Sequence, residues 1–96
     1  MVKLQRHKEL CEGIHATYEA KNADYGDSFG KTFEVLGIIS AVTRITDKYN
    51  RMVQLAISRD QRVKDESIKD TLMDMANYCI MTVMEIEKQE EANGQR

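Results

Sequence analysis

Proline is absent from the 96 residues, so nothing in the chain breaks a helix through a ring-locked backbone. There is no basic excess either. Fourteen Lys and Arg against sixteen Asp and Glu leave a formal net charge of −2, which argues against nonspecific nucleic-acid binding. No apolar run approaches the ~18 residues of a membrane span, and the N-terminus reads as carrying no secretion signal. GxGxxG, GxxxxGK followed by Ser or Thr, paired CxxC and HExxH are all missing, so the chemistries tied to those motifs have no support. No Ser-His-Asp or Cys-His signature is visible. The two cysteines, Cys11 and Cys79, fall at apolar helical positions. They are expected to be reduced core thiols, as in a soluble, cytoplasmic protein that binds neither membrane nor nucleic acid.

What is present favours helices. Charged residues are abundant, and Met, Leu, Ile and Ala are prominent. Residues 3–21 read as a first helix with Leu4, Cys11, Ile14 and Tyr18 on one stripe. His7 lies on that stripe, and a packed or partly exposed histidine is the expectation rather than a metal ligand. Residues 22–31, NADYGDSFGK, have turn composition. Their aromatics, Tyr25 and Phe29, either plug the end of a core or stand at a pocket mouth and stack on a base. A second helix is expected from Thr32 to Ser58, with Val35, Ile38, Ile39, Val42, Ile45, Tyr49, Met52, Val53 and Ala56 on its core face. Gly37 marks close packing or a local bend. Arg44, Asp47, Lys48 and Arg51 share the opposite face. Such a charged run is ordinarily solvated.

The chain is organised around residues 66–86, ESIKDTLMDMANYCIMTVMEI. Asp65 or Ser67 is expected to cap this third helix, and Ser67 with Asp70 resembles a capping box. Glu66, Asp70 and Asp74 recur every four residues, within roughly 80° of one another on a helix. Like charges at this spacing cost a few tenths of a kcal/mol per pair. From Met75 onward the helix is apolar almost all round, which predicts burial on every side. Three helices offer too little surface for that; a second copy of the chain is the simplest remedy, and a long hydrophobic groove for a foreign partner would also satisfy it. The expectation is therefore an all-α single domain over 1–96, a three-helix unit with long second and third helices, completing a helical bundle by dimerisation. Residues 88–96 read as a frayed tail.

Carboxylates on adjacent helical turns suit Mg2+, which takes oxygen ligands from a few carboxylates, water and substrate phosphates. Lys48, Arg44 and Arg51, if they reach the same cavity, would engage phosphate oxygens. The alternative is that Asp70 and Asp74 pair with Arg44, Lys48 or Arg51 as interhelical salt bridges.

Three segments in order, KNADYGDSF at 21–29, RITDKYNR at 44–51 and ESIKDTLMDMANY at 66–78, resemble the phage and bacterial nucleotide-modification-associated helical domain. That domain is akin to the MazG-like branch of the all-α nucleoside triphosphate pyrophosphatases. The resemblance implies a dimer or higher homo-oligomer that uses Mg2+ to hydrolyse a nucleotide, with water attacking between the α and β phosphates. It implies Glu66, Asp70 and Asp74 as catalytic residues, and these with Asp47 as metal ligands. It implies Lys48 and Arg51 near phosphate, and Lys21, Asp24, Tyr25 and Asn77 near sugar or base. The motifs depart from the pyrophosphatase pattern. The expected E-E-x-x-E is reduced to Asp47 within R-x-x-D-K-x-x-R, and E-x-x-D is replaced by E-x-x-x-D-x-x-x-D. A nucleotide-binding module without hydrolysis and a purely structural helical dimer are the alternatives.

Overall fold

A computed structural model describes residues 1–58 and 64–94, with the backbone alone at 64–66. Among the described residues there are four helices and no strand: α1 (Lys3–Tyr25), α2 (Ser28–Leu36), α3 (Ile38–Ile57) and α4 (Lys64–Ala92). The all-α expectation holds, but the three-helix count does not. The expected second helix starts earlier and is divided at Gly37. That residue has φ 71° and ψ −160°, a backbone region essentially reserved for glycine. Its N–H donates to the Phe33 carbonyl at 2.7 Å and closes α2, while its own carbonyl accepts from the Ser40 N–H at 3.1 Å. The apolar rhythm runs on across the break, so periodicity alone does not reveal it.

The turn chemistry at 22–31 is concentrated in two residues. Asn22 to Tyr25 complete α1, and Gly26 ends it with φ 70° and an N–H donated to the Asn22 carbonyl at 2.8 Å. Asp27 then caps α2, its Oδ1 accepting the Gly30 N–H at 3.0 Å. At the other end of the chain, α4 begins by Lys64, which places Asp65 and Ser67 inside the helix rather than at its cap. Ser67 instead offers its carbonyl to the Thr71 hydroxyl at 2.7 Å. The helix continues past Ile86 to Ala92. Lys88 joins it to α2 by an ion pair with Glu34 at 3.0 Å, and this partner raises the Lys88 pKa.

Helices α3 and α4 form the antiparallel spine. Lys48 reaches Asp74 and Arg51 reaches Thr71, so three residues forward on one helix correspond to three back on the other. Among the described residues, Phe33 and Ala41 are the fully buried apolar ones. Thr71 and Thr82 are buried too, each hydroxyl donating to a carbonyl of its own helix, and the Thr71 hydroxyl also accepts from Arg51 Nε of α3.

The predicted core is thinner than expected. The face expected of the second helix divides: Ala41 is buried and Ile45, Met52 and Leu55 half-buried, whereas Val35 on α2 and Ile39, Val42 and Tyr49 on α3 are exposed. Helix α1 buries nothing; Ile14 and Tyr18 are half-buried, while Leu4 and Cys11 are exposed. Cys79 is exposed as well, so both cysteines are free thiols at the surface of the single chain rather than core residues. Burial of α4 on every side is likewise not met within one chain, where Ile80 and Val83 are 51% and 54% exposed.

Candidate functional site

The corner between α1 and α2 leans on the middle of α4 and leaves a cavity of about 260 Å³, near the lower end of small-molecule pockets. Helix α1 contributes Tyr18, Lys21, Asn22 and Tyr25. Arg44 comes from α3, and Asp74, Asn77, Tyr78 and Met81 come from α4. The short turn is what brings these elements together. Gly26 reverses the chain and Asp27 starts α2, so Phe29 drops between Phe33 and Tyr78 with ring centroids 6.3 and 5.8 Å away. Phe29 thus plugs the core end. Tyr25, 77% exposed at the rim, remains open to a flat ligand. The two aromatics that look equivalent in the sequence have separate duties.

Asn77 positions α1. Its Nδ2 donates to the Ile14 carbonyl at 3.1 Å, the contact that anchors an otherwise lightly packed helix. Beside the cavity runs a groove lined by Ile14, Thr17, Asp70, Met73, Asp74 and Asn77. Asp74 and Asn77 therefore line both spaces, and Asp70 lines the groove alone.

The charged stripe of α3 has a definite arrangement. Lys48 Nζ lies 3.2 Å from Asp74 Oδ2, both side chains partly buried. Arg51 Nε donates to Thr71 Oγ1 at 3.3 Å. Arg44 lines the pocket. Of the residues expected at a site, Lys21, Tyr25, Asp74 and Asn77 meet at the cavity. Lys48 stands behind Asp74, and Asp70 stands beside it across the groove. Asp24, Asp47 and Arg51 line neither space. The side chain of Glu66 lies outside the described residues. Tyr18 and Tyr78 join the site without having been assigned to it, and of the basic residues expected to engage phosphate on reaching the cavity, Arg44 lines it. Arg44 was legible as the first member of the R-x-x-D-K-x-x-R stripe, but nothing in the sequence tells which member faces the cavity.

Among the described residues, no group of three or more His, Cys, Asp or Glu side chains is placed to hold a metal ion. The donors that do stand together, Asp70 and Asp74, are hard carboxylates one turn apart. Two such groups fit Mg2+ that arrives with phosphate oxygens, and do not amount to an all-protein cage. Lys48 competes for the same Asp74 oxygen.

The sequence model of nucleotide modification associated domain 1 matches residues 21–86, the span from the pocket's Lys21 to the C-terminal part of α4. No curated protein and no solved structure matches the chain.

Proposed function

The chain belongs to the nucleotide modification associated domain 1 family, and from that premise we propose that it binds a nucleotide in the pocket between α1, α3 and α4. One observation carries this reading: an exposed tyrosine, an amide side chain and two cations converge on one cavity, Tyr25 with Asn77, Lys21 and Arg44. Aromatic faces accept any base by stacking. An asparagine amide offers hydrogen bonds to a base or sugar edge. Arg and Lys engage phosphate oxygens, the former with a planar fork. The cavity accommodates the base and sugar, and the phosphates extend toward the cations and the acidic groove.

Mg2+ carried in with the phosphates would be held by Asp70 and Asp74, and when bound it supplies charge neutralisation and an activated water. A second reading follows, hydrolysis of a nucleoside triphosphate to monophosphate and pyrophosphate, as in MazG-like enzymes. It is favoured by Asp74, which borders both the pocket and the groove holding Asp70. Glu66 is the general base in that reading. We place the protein in the cytoplasm as a homo-oligomer, consistent with its two free thiols and its broad exposed apolar faces. No helix among the described residues is long and apolar enough to cross a membrane.

The test is a thermal-shift panel of nucleoside mono-, di- and triphosphates with and without Mg2+. A ligand at a hundred times its dissociation constant stabilises the fold by ~2.7 kcal/mol. A selective shift is expected, and Mg2+-dependent pyrophosphate release by the selected nucleotide separates enzyme from binding module. No shift with any nucleotide rejects the pocket assignment.

A further inference from the structure

Helix α1 supplies one wall of the pocket, yet it is lightly held. Unlike α2, α3 and α4, it buries no described residue. Ile14 and Tyr18 are half-buried and the rest of the helix is exposed. Its ion pairs, Arg6 with Glu9 and His15 with Glu19, stay within the helix. Helical stability in a protein comes mostly from packing rather than from propensity, and α1 has little of either in its middle. Gly13 weakens the helix there. The Thr17 hydroxyl donates back to the Gly13 carbonyl at 3.1 Å, a bond that destabilises a helix slightly.

A tie to α4 falls one residue further on, where Asn77 Nδ2 donates to the Ile14 carbonyl at 3.1 Å. A carbonyl oxygen only accepts, so chemistry fixes which end of the amide faces α1. One N–H and Oδ1 of Asn77 are left for other partners. The pocket begins just beyond this bond. Tyr18, Lys21 and Tyr25 stand on the α1 side, and Asp74, Asn77 and Tyr78 face them from α4. A molecule that fills the cavity touches both walls and so adds a second tie between the two helices.

We propose that Asn77 is a latch: it sets the fraction of α1 that is docked, and docking of α1 and occupancy of the pocket are one equilibrium. The latch follows from packing alone, while its coupling to a nucleotide rests on the reading given under Proposed function. In the free chain α1 opens locally beyond the Gly26–Asp27 connection, and α2, α3 and α4 keep the core around Phe33 and Ala41. Elements with little buried surface open at the lowest cost. A ligand that binds only the docked state suppresses that opening as it saturates the site. By the same linkage, loosening α1 lowers the apparent affinity in proportion to the fraction left docked. In this respect Asn77 is a positioning residue that acts through Ile14.

Hydrogen exchange of the full chain, read by mass spectrometry, tests both parts. Residues 12–24 of α1 are compared with 41–55 of α3 and 70–85 of α4, all clear of the helix ends. Without ligand, the α1 segment is expected to exchange at least about tenfold faster than the α4 segment. Asn77→Ala is expected to speed α1 by roughly three- to tenfold, the effect of one lost hydrogen bond, with α3 unchanged. The common ribo- and deoxyribonucleoside triphosphates are then added in turn with Mg2+. One that raises the melting temperature is expected, at saturation, to slow α1 by at least about tenfold. Unliganded α1 exchanging as slowly as α4 overturns the latch, as does an Asn77→Ala variant that leaves α1 unchanged or speeds every helix alike. A nucleotide that stabilises the chain and leaves α1 exchange as it was overturns the coupling. If no nucleotide stabilises the chain, the nucleotide reading fails instead, and the unliganded comparison still decides the latch.

Discussion

Replacing Gly26 by alanine tests the corner on which the pocket depends. Gly26 holds φ 70° and ψ −167°, where an L side chain is strained by about 1–3 kcal/mol. No other group lies within 4 Å of the position a Cβ would take, so there is neither a clash to add nor a contact to gain, and the backbone alone sets the cost. Gly13→Ala is the matched control. It also meets open space, but it sits inside α1 with ordinary helical torsions, where alanine is favoured over glycine by roughly 0.5–1 kcal/mol. The same chemical change thus stabilises at one position and destabilises at the other. Thermal unfolding followed by far-ultraviolet circular dichroism reads both, at one protein concentration. The melting temperature of Gly26→Ala should fall by at least about 4 °C, and its nucleotide affinity should drop as the rim of the cavity shifts. A Gly26→Ala protein as stable as Gly13→Ala refutes the turn geometry, and with it the approach of α1 to α4 that forms the pocket.

Arg44→Ala should weaken binding of a nucleoside triphosphate by about tenfold or more, the loss of one charge-assisted contact, while the unliganded melting temperature stays within a degree or two; calorimetric titration decides. Gly30→Ala should cost about 0.5–2 kcal/mol, because a Cβ there overlaps the Asp27 carboxylate and expels the α2 cap; chemical denaturation measures it. Asp70→Asn, at an exposed position, should leave helix content unchanged and abolish Mg2+-dependent pyrophosphate release; a fully active variant sinks the hydrolytic reading. Asp74→Asn loses the partly exposed Lys48 pair and should cost no more than about 1 kcal/mol in a melt.

The fold class was legible because the apolar periodicity of α2 and α3 is strong and proline is absent. Element boundaries were legible only where local chemistry overrode periodicity. Gly26 and Asp27 did so in a turn-rich context that looked longer than it is. Gly37 did so within an unbroken apolar pattern, where a glycine reads equally as packing or as a bend. For the site, Lys21, Tyr25, Asp74 and Asn77, which the family resemblance implied, line the cavity, whereas Asp24 on the same α1 does not. The α3 stripe was harder. Arg44, Lys48 and Arg51 occupy one face, yet the crossing with α4 hands Lys48 to Asp74, Arg51 to Thr71 and Arg44 to the cavity. That division depends on the register between two helices, which no single-helix pattern contains.

The same limit explains why the apolar character of α4 predicts burial without naming the neighbour. An apolar residue reports that some neighbour excludes water from it, and says nothing about which chain the neighbour belongs to. In α4 three patterns overlap. One face, with Thr71, Thr82 and Glu85, meets the rest of its own chain and is in part polar. A second, with Asn77 and Met81, supports α1 and the pocket. The third, from Leu72 to Ile86, is the most regular in its spacing and the least covered within the chain. If burial had to be satisfied inside one chain, the regular seam should be the best covered of the three. Its exposure reverses that order: the polar, irregular faces are fixed by intrachain hydrogen bonds, while the regular apolar face is left open. That face lies away from the α4 residues at the pocket, so Val83→Lys should leave nucleotide affinity unchanged, which calorimetric titration checks.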